Sequence, residues 1–288
     1  MRKKRTRTTP GMRTRRATSV FVACTAAFLA ACSPVRGGEE PSFSALSYKN
    51  LIPNESYSPA TAPLAPGTAL DLSGDEPRPG AYFNYQSCTA AWSFTLADAR
   101  TITVTASHCG KPGDKVWAGT ADGDFSYPAE PIGEVIYSDF YAEDSHDLDV
   151  AFIEITGSAD YYVPGAVDNS VATSLAHLPH QVCKLGRVTD ETCGTLSHDA
   201  EMAQLNSEGL QRDSLAARAR VCSTNGDSGG PVYGEVEGKQ TIVGVVSGTT
   251  QRLEEGHTCQ TTQTDMELSF TLATDIQVLA KEVLGPMA

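Results

Sequence analysis

Between Tyr82 and Thr274 the chain breaks into short apolar and β-branched runs separated by turn residues. The runs are Ala91–Leu96, Thr101–Ala106, Lys115–Ala118, Ile132–Tyr137, Val150–Ile155, Arg218–Val221, Thr241–Ser247 and Glu267–Thr274. With Gly and Asp recurring in the gaps, this spacing predicts an all-β barrel or sandwich. Only the end of the chain reads as helical. Ile276, Leu279 and Val283 share one helical face, Thr274 or Asp275 is placed to cap its start, and Gly285-Pro286 stops it.

The preceding third of the chain has a different texture. Residues 1–31 carry eight of the 22 Lys and Arg and no acids. A basic stretch over 1–16 leads into a short, alanine-rich apolar run, the pattern of a signal peptide. That run ends Leu29-Ala30-Ala31-Cys32, which resembles a bacterial lipobox and makes Cys32 the expected lipidation site. Arg15-Arg16 lacks the residues that usually follow a twin-arginine signal. Residues 32–80, rich in Pro, Ser, Ala, Gly and Glu, read as a flexible tether, and the folded domain is expected over 81–288. Without residues 1–31 the chain holds 14 bases against 35 acids, a net charge of −21. Nucleic-acid binding relies on Lys and Arg to neutralise phosphates, so no nucleic-acid partner is expected. Six of the eight cysteines fall in the expected domain, and an even count in an exported chain points to disulfides.

The stretch Val221-Cys222-Ser223-Thr224-Asn225-Gly226-Asp227-Ser228-Gly229-Gly230-Pro231 reads as a tight, glycine-flanked turn that holds one serine forward. The amides of Gly226 and Ser228 can then point at a shared spot and stabilise an oxyanion. Gly226 to Gly230 also fits Gly-x-Ser-x-Gly, the nucleophile elbow of α/β-hydrolases. Those folds place the acid and the histidine after the serine, among alternating strands and helices. Here only 60 residues follow Ser228, His257 is the sole histidine among them, and alternating helices are lacking upstream.

The same stretch resembles the nucleophile loop of trypsin-like serine proteases, the chymotrypsin superfamily. Thr105-Ala106-Ser107-His108-Cys109 resembles that family's catalytic-histidine motif, and Asp147-Leu148-Asp149-Val150-Ala151-Phe152-Ile153 its acidic segment. Cys88 upstream of the histidine motif, Cys183 and Cys193, and Cys222 six residues before Ser228 are similar in spacing to the bacterial streptogrisin-like branch. The resemblance spans roughly Cys88 to Thr274. It implies two packed six-stranded antiparallel β-barrels with a C-terminal α-helix. It also implies the disulfides Cys88–Cys109, Cys183–Cys193 and Cys222–Cys259.

A serine needs a base to take its proton and an acid to orient that base. Of the six histidines, the resemblance selects His108 over His146, His177, His180, His198 and His257. It selects Asp149 as the acid because Val150-Ala151 follows directly. Asp147 keeps the same strand face and is a weaker competitor, and Asp144 reads as a loop carboxylate. The resemblance further implies an oxyanion hole at Gly226 and Ser228, and substrate contacts at Ser223, Thr224, Asn225, Ser247, Gly248 and Thr249. Asp227 then needs an internal base, for which Lys184 and Arg187 are the candidates. Trypsin's basic-residue-binding aspartate falls at Cys222, which argues against a Lys or Arg preference. Leu268 or Glu267 is placed to reach the pocket from the far wall, with an insert over Gln251–Thr258 beside it. A zinc site at Cys88, His108 and Cys109 matches no common ligand spacing, so neither metal nor cofactor is expected. The expected product is an exported, monomeric serine endopeptidase acting on polypeptides, held at the cell surface by a lipid on Cys32. An inactive binding module on the same fold is the alternative.

Overall fold

The computed structural model describes residues 64–120, 124–125, 129–159, 161–207, 209–249, 259 and 266–288. The signal peptide, Cys32, His257 and most of the expected tether lie outside them. Among the described residues, β1 (Ala69–Ser73), β2 (Gln86–Thr89), β3 (Ser93–Thr95), β4 (Thr101–Thr105), β5 (Lys115–Ala118), β6 (Gly133–Ser138) and β7 (Ala151–Ile155) form one antiparallel sheet. Its order is β2-β1-β5-β6-β7-β4-β3. The expected barrel has six strands and the sheet has seven, and the difference lies at its two edges. β2 pairs with β1 and β3 pairs with β4, yet only Ala90 to Trp92 separate β2 from β3. One bent run of chain thus supplies both edges, and the sheet curls round it.

The second sheet is a closed six-stranded barrel. It comprises β8 (Gln181–Gly186), β9 (Asp190–Ser207), β10 (Leu210–Arg220), β11 (Pro231–Val236), β12 (Lys239–Thr249) and β13 (Leu268–Leu272), in the order β10-β13-β12-β11-β8-β9. Helix α1 (Ala273–Leu284) follows at once. It starts one residue before the expected cap, with Leu272 as N-cap and no side-chain cap; Asp275 sits in its first turn. Ile276 and Leu279 are buried as the periodicity predicts, Val283 packs beside them, and Gly285 ends the helix at a positive φ of 95°.

Alternation along the strands builds three cores from these elements. In β7, Ala151 and Ile153 face the interior of the first sheet, where Leu70, Leu72 and Val135 meet them. Phe152, and Val150 just before the strand, face the opposite way, toward Ile102, Val104, Leu185 and the helix. Val182, Val232, Val246 and Phe270 fill the second barrel. The three expected disulfides all form. Because the sulfurs of Cys88 and Cys109 are joined to each other, neither is a thiolate available to metal beside His108.

One expectation needs correcting. β1 lies within the span assigned to the tether, but it is a fully buried strand between β2 and β5. It brings Asp71 into the seam between the sheets. There the buried Arg187, just past β8, donates to Asp71 Oδ1 at 2.5 Å, to Leu70 O at 2.8 Å and to Thr120 O at 2.7 Å. Arg187 is therefore a clamp between the two sheets. Breaking a buried ion pair from one side typically costs about 3–5 kcal/mol. Arg187→Met is expected to lose stability of that order in urea unfolding, and a loss below about 1 kcal/mol would refute the clamp.

Candidate active site

Asp149 emerges one residue before Val150 turns into the core, and its carboxylate is fully buried. Burial at this cost requires donors. Oδ1 accepts from Ser107 N–H at 2.8 Å, Ser107 Oγ at 2.6 Å and His108 N–H at 3.2 Å. Oδ2 accepts from His108 Nδ1 at 2.9 Å and from the Ser247 hydroxyl. Burial pushes the Asp149 carboxyl up, but the facing His108 and the hydrogen bonds from His108, Ser107 and Ser247 outweigh it and hold it below its ordinary value. Burial likewise pulls His108 down, and the Asp149 charge and hydrogen bond turn the net shift upward. With Nδ1 committed to Asp149, Nε2 is left for chemistry.

The loop before Asp149 is organised by a second buried carboxylate. Asp139 accepts from Tyr137 OH at 2.5 Å, Ser145 Oγ at 2.9 Å, and the N–H groups of His146 and Leu148 at 3.0 Å. Asp144 and Asp147 are exposed. Asp147 has a left-handed φ of 57°, and its carbonyl takes Leu215 N–H at 2.6 Å. His108 pairs with Asp149, not with these competitors. His146, His177, His180 and His198 are exposed, and His146 bonds Asp139 through Nδ1 at 3.2 Å.

Ser228 sits where the two sheets meet, in a loop whose glycines have steric causes. Gly226 has φ 97°, and a Cβ there would lie 2.6 Å from Val188. Gly229 has φ 84°, and a Cβ would lie 2.0 Å from Thr105 Oγ1. Thr89, from the first sheet, grips the loop twice. Its N–H donates to Ser228 O at 2.8 Å, and its hydroxyl donates to Gly226 O at 2.8 Å. Among the described residues, the N–H groups of Gly226 and Ser228 donate to no backbone carbonyl. Ser228 and His108 line the same cleft, of about 620 Å³. The hydrogen bond between them is not among those formed, as is common in a site without substrate.

Asp227 is buried behind this loop, and its partner is Lys184 at 3.2 Å, also buried. Strand alternation explains the choice: Lys184 shares the Val182 face of β8, directed into the barrel, whereas Arg187 lies beyond the strand and turns to Asp71. Burial pulls the Lys184 pKa down, against the charge and hydrogen bond of Asp227. Asp227 also accepts from Val188 N–H at 3.0 Å, Thr189 N–H at 3.1 Å and Thr224 N–H at 3.0 Å. Gly186 makes room, since a Cβ there would fall 2.4 Å from Asp227 Oδ1.

The residues assigned to substrate binding divide. Asn225, Ser247, Gly248 and Thr249 line the cleft. Ser223 and Thr224 do not; their Oγ and N–H groups hold Asp227. Leu268 points into the barrel core and Glu267 pairs with Arg218, so it is Ser269 that reaches the cleft. The insert over 251–258 lies outside the described residues. Sequence reasoning missed Thr89, which holds the serine loop, Ser107, which holds Asp149, and residues 204–207 of β9, which line the cleft. Position beside Cys88 and His108 was the only signal for the first two.

The Trypsin family model matches residues 77–264, and the chain belongs to that family of serine proteases. Solved structures similar in fold are bacterial proteases. Thermobifida fusca protease A is 23% identical, with 78% of this chain and 97% of that one covered and a TM-score of 0.50. A glutamic acid specific serine protease described as using a histidine triad in substrate binding is 19% identical, with 78% and 100% covered and a TM-score of 0.50. Nocardiopsis protease is 20% identical, with 75% and 95% covered and a TM-score of 0.48. Among curated protein sequences none matches.

Lys184→Met would leave Asp227 buried without its counter-charge. It is expected to lower the melting temperature and to slow fluorophosphonate labelling by more than tenfold, the scale of losing a buried ion pair. Labelling at the wild-type rate in the folded variant would show that the pair does not hold the loop.

Proposed function

We propose that the protein is a serine endopeptidase that cleaves polypeptides through an acyl-enzyme on Ser228. The observation that carries this reading is the 2.9 Å contact of His108 Nδ1 with buried Asp149, on the cleft that Ser228 also lines. His108 Nε2 takes the Ser228 proton as Oγ attacks the scissile carbonyl. Asp149 keeps its charge, fixes the tautomer and stabilises the imidazolium. The N–H groups of Gly226 and Ser228 hold the oxyanion; losing one such donor typically costs about 10²–10³ in turnover. His108 then protonates the leaving amine, water enters, and the acyl group is released. A second hollow, of about 520 Å³, borders His108 on its other side and includes Tyr85, Lys111 and Tyr141; it is the proposed exit for the leaving peptide.

The described cleft lining contains no Asp, Glu, Lys or Arg. Cys222, at the position of trypsin's specificity aspartate, is bonded to Cys259. These features favour a small, uncharged residue before the scissile bond. His108 is again the one histidine among the described lining residues, so a histidine-based acidic specificity is not proposed.

Activity requires neutral His108. Its pKa is raised above 6.5, so kcat/KM against a peptide library is expected to fall as pH drops through a midpoint above 6.5. Asp149→Asn is expected to cost on the order of 10⁴-fold, and Ser228→Ala to abolish fluorophosphonate labelling. A midpoint at or below 6.5 contradicts the upward shift from Asp149, and labelling that survives Ser228→Ala contradicts the mechanism.

The disulfides suit an oxidising compartment, and the leader motif suits export with a diacylglyceryl anchor on Cys32. Metabolic labelling with palmitate is expected to mark the wild type but not Cys32→Ala; equal incorporation in both would remove the anchor.

A further inference from the structure

One buried charge near the site takes no part in the chemistry above. The Asp139 carboxylate, just past the end of β6, lies fully out of water. Burial pushes its pKa up, but the bonds from Tyr137, Leu148, His146 and Ser145 outweigh this and hold it below its ordinary value. A charge buried at such cost is held by its donors, and the donors show what it holds in return. Leu148 N–H donates to Asp139 Oδ2 at 3.0 Å, while Asp139 N–H donates to Val150 O at 3.1 Å. One residue thus grips the chain on both sides of Asp149. Its neighbour Ser138 reaches the other partner. The Ser138 hydroxyl donates to Ser107 O at 2.9 Å, and Ser107 donates its own N–H and hydroxyl to Asp149 Oδ1.

The turn that leads into Asp149 is strained. Asp147 stands at a φ of 57°, a left-handed conformation that side chains rarely adopt. Such a residue persists only where its surroundings over-determine it. Here the residues on either side, His146 and Leu148, both give their N–H groups to Asp139. Ser145 adds its hydroxyl at 2.9 Å, and His146 Nδ1 lies 3.2 Å from Oδ1. Tyr137 OH closes the carboxylate from β6, and His146 Nε2 lies 3.6 Å from Glu282 of α1. Asp139 itself lines neither hollow beside His108.

We infer that Asp139 is a positioning residue: by holding the 145–148 turn in its left-handed form, it sets the direction from which Asp149 meets His108. This rests on the peptidase reading above. It adds to it a residue, away from the cleft, on which the rate depends.

Fluorophosphonate labelling of the full-length protein, followed as a second-order rate against pH, tests this without knowledge of the substrate. Asp139→Ala is expected to slow labelling about ten- to a hundredfold, the scale of a misplaced catalytic group. The pH midpoint is expected to move down, because Asp149 is the charge that raises His108. Asp75, Lys111 and Asp114, which border the neighbouring hollow, are untouched by the substitution. The far-downfield proton resonance of His108 Nδ1–H weakens in parallel. Asp139→Asn keeps one oxygen for the N–H groups of His146 and Leu148 and can turn its amide to the Tyr137 hydroxyl. It is expected to restore most of the rate and the wild-type midpoint. Should Asp139→Ala not fold, Asp147→Val tests the same turn from an exposed position. A β-branched residue resists positive φ while the buried cluster stays whole, so the same slowing and the same lowered midpoint are expected.

Wild-type rate and midpoint in folded Asp139→Ala, or in Asp147→Val, overturn the inference, since Asp139 then serves stability alone. An equally lowered midpoint in Asp139→Asn and Asp139→Ala also overturns it, because charge rather than position then acts on His108. In each of these cases wild type still labels and the peptidase reading stands. Folded wild type that does not label overturns both.

Discussion

The Lys184–Asp227 ion pair lies wholly out of water beside the serine loop, and the surrounding backbone is arranged around the need to satisfy it. A buried carboxylate with no partner would be costly enough to unfold the loop or neutralise the acid. Here the lysine comes from a strand of the same barrel, and three backbone N–H groups and the hydroxyls of Thr189 and Ser223 complete the shell. Those N–H groups belong to Val188, Thr189 and Thr224, so satisfying one charge fixes two loops. The Gly226 and Ser228 amides flank Asp227 and inherit their orientation from it. The loop is thus organised by groups internal to the folded domain.

The seam between the sheets does the remaining positioning. Asp149 and His108 come from the first sheet, Ser228 and Ser247 from the second. Contacts across the seam must therefore hold the site together. Thr89 reaches over to the carbonyls of Gly226 and Ser228, and its own carbonyl takes the Thr105 hydroxyl at 2.9 Å. Arg187 N–H donates to Thr89 Oγ1 at 3.2 Å, while its guanidinium holds Asp71 and Leu70. A single polar chain thus links the first strand to the Ser228 loop.

What was legible in the sequence follows from which physics leaves a local mark. Strands such as Thr101–Thr105, all β-branched and buried on both faces after the first residue, were visible because that composition is concentrated in a short run between turn residues. The eighteen-residue β9 was not. Its sequence is polar and no residue of it is buried, and pairing with β8 and β10 holds it extended. β1 was missed because its five residues follow a proline-rich stretch and are buried by neighbours distant in sequence. That His108 meets Asp149 and shares a cleft with Ser228 was readable because the proposed chemistry would need those residue types within recognisable motifs. Thr89, Ser269 and Gln204 are ordinary polar residues whose roles exist only once the sheets meet. Lys184 and Arg187 were equivalent by charge, and strand alternation separates them.

The central claim is that the loop from Gly226 to Ser228 is already set for an oxyanion. A crystal structure of the protein phosphonylated on Ser228 tests it most directly. The account predicts a phosphonyl oxygen about 2.7–3.1 Å from the N–H groups of both Gly226 and Ser228. The Lys184–Asp227 pair and the Thr89 contacts should be unchanged. A loop that has flipped, with either N–H turned away or Asp227 released from Lys184, would contradict it.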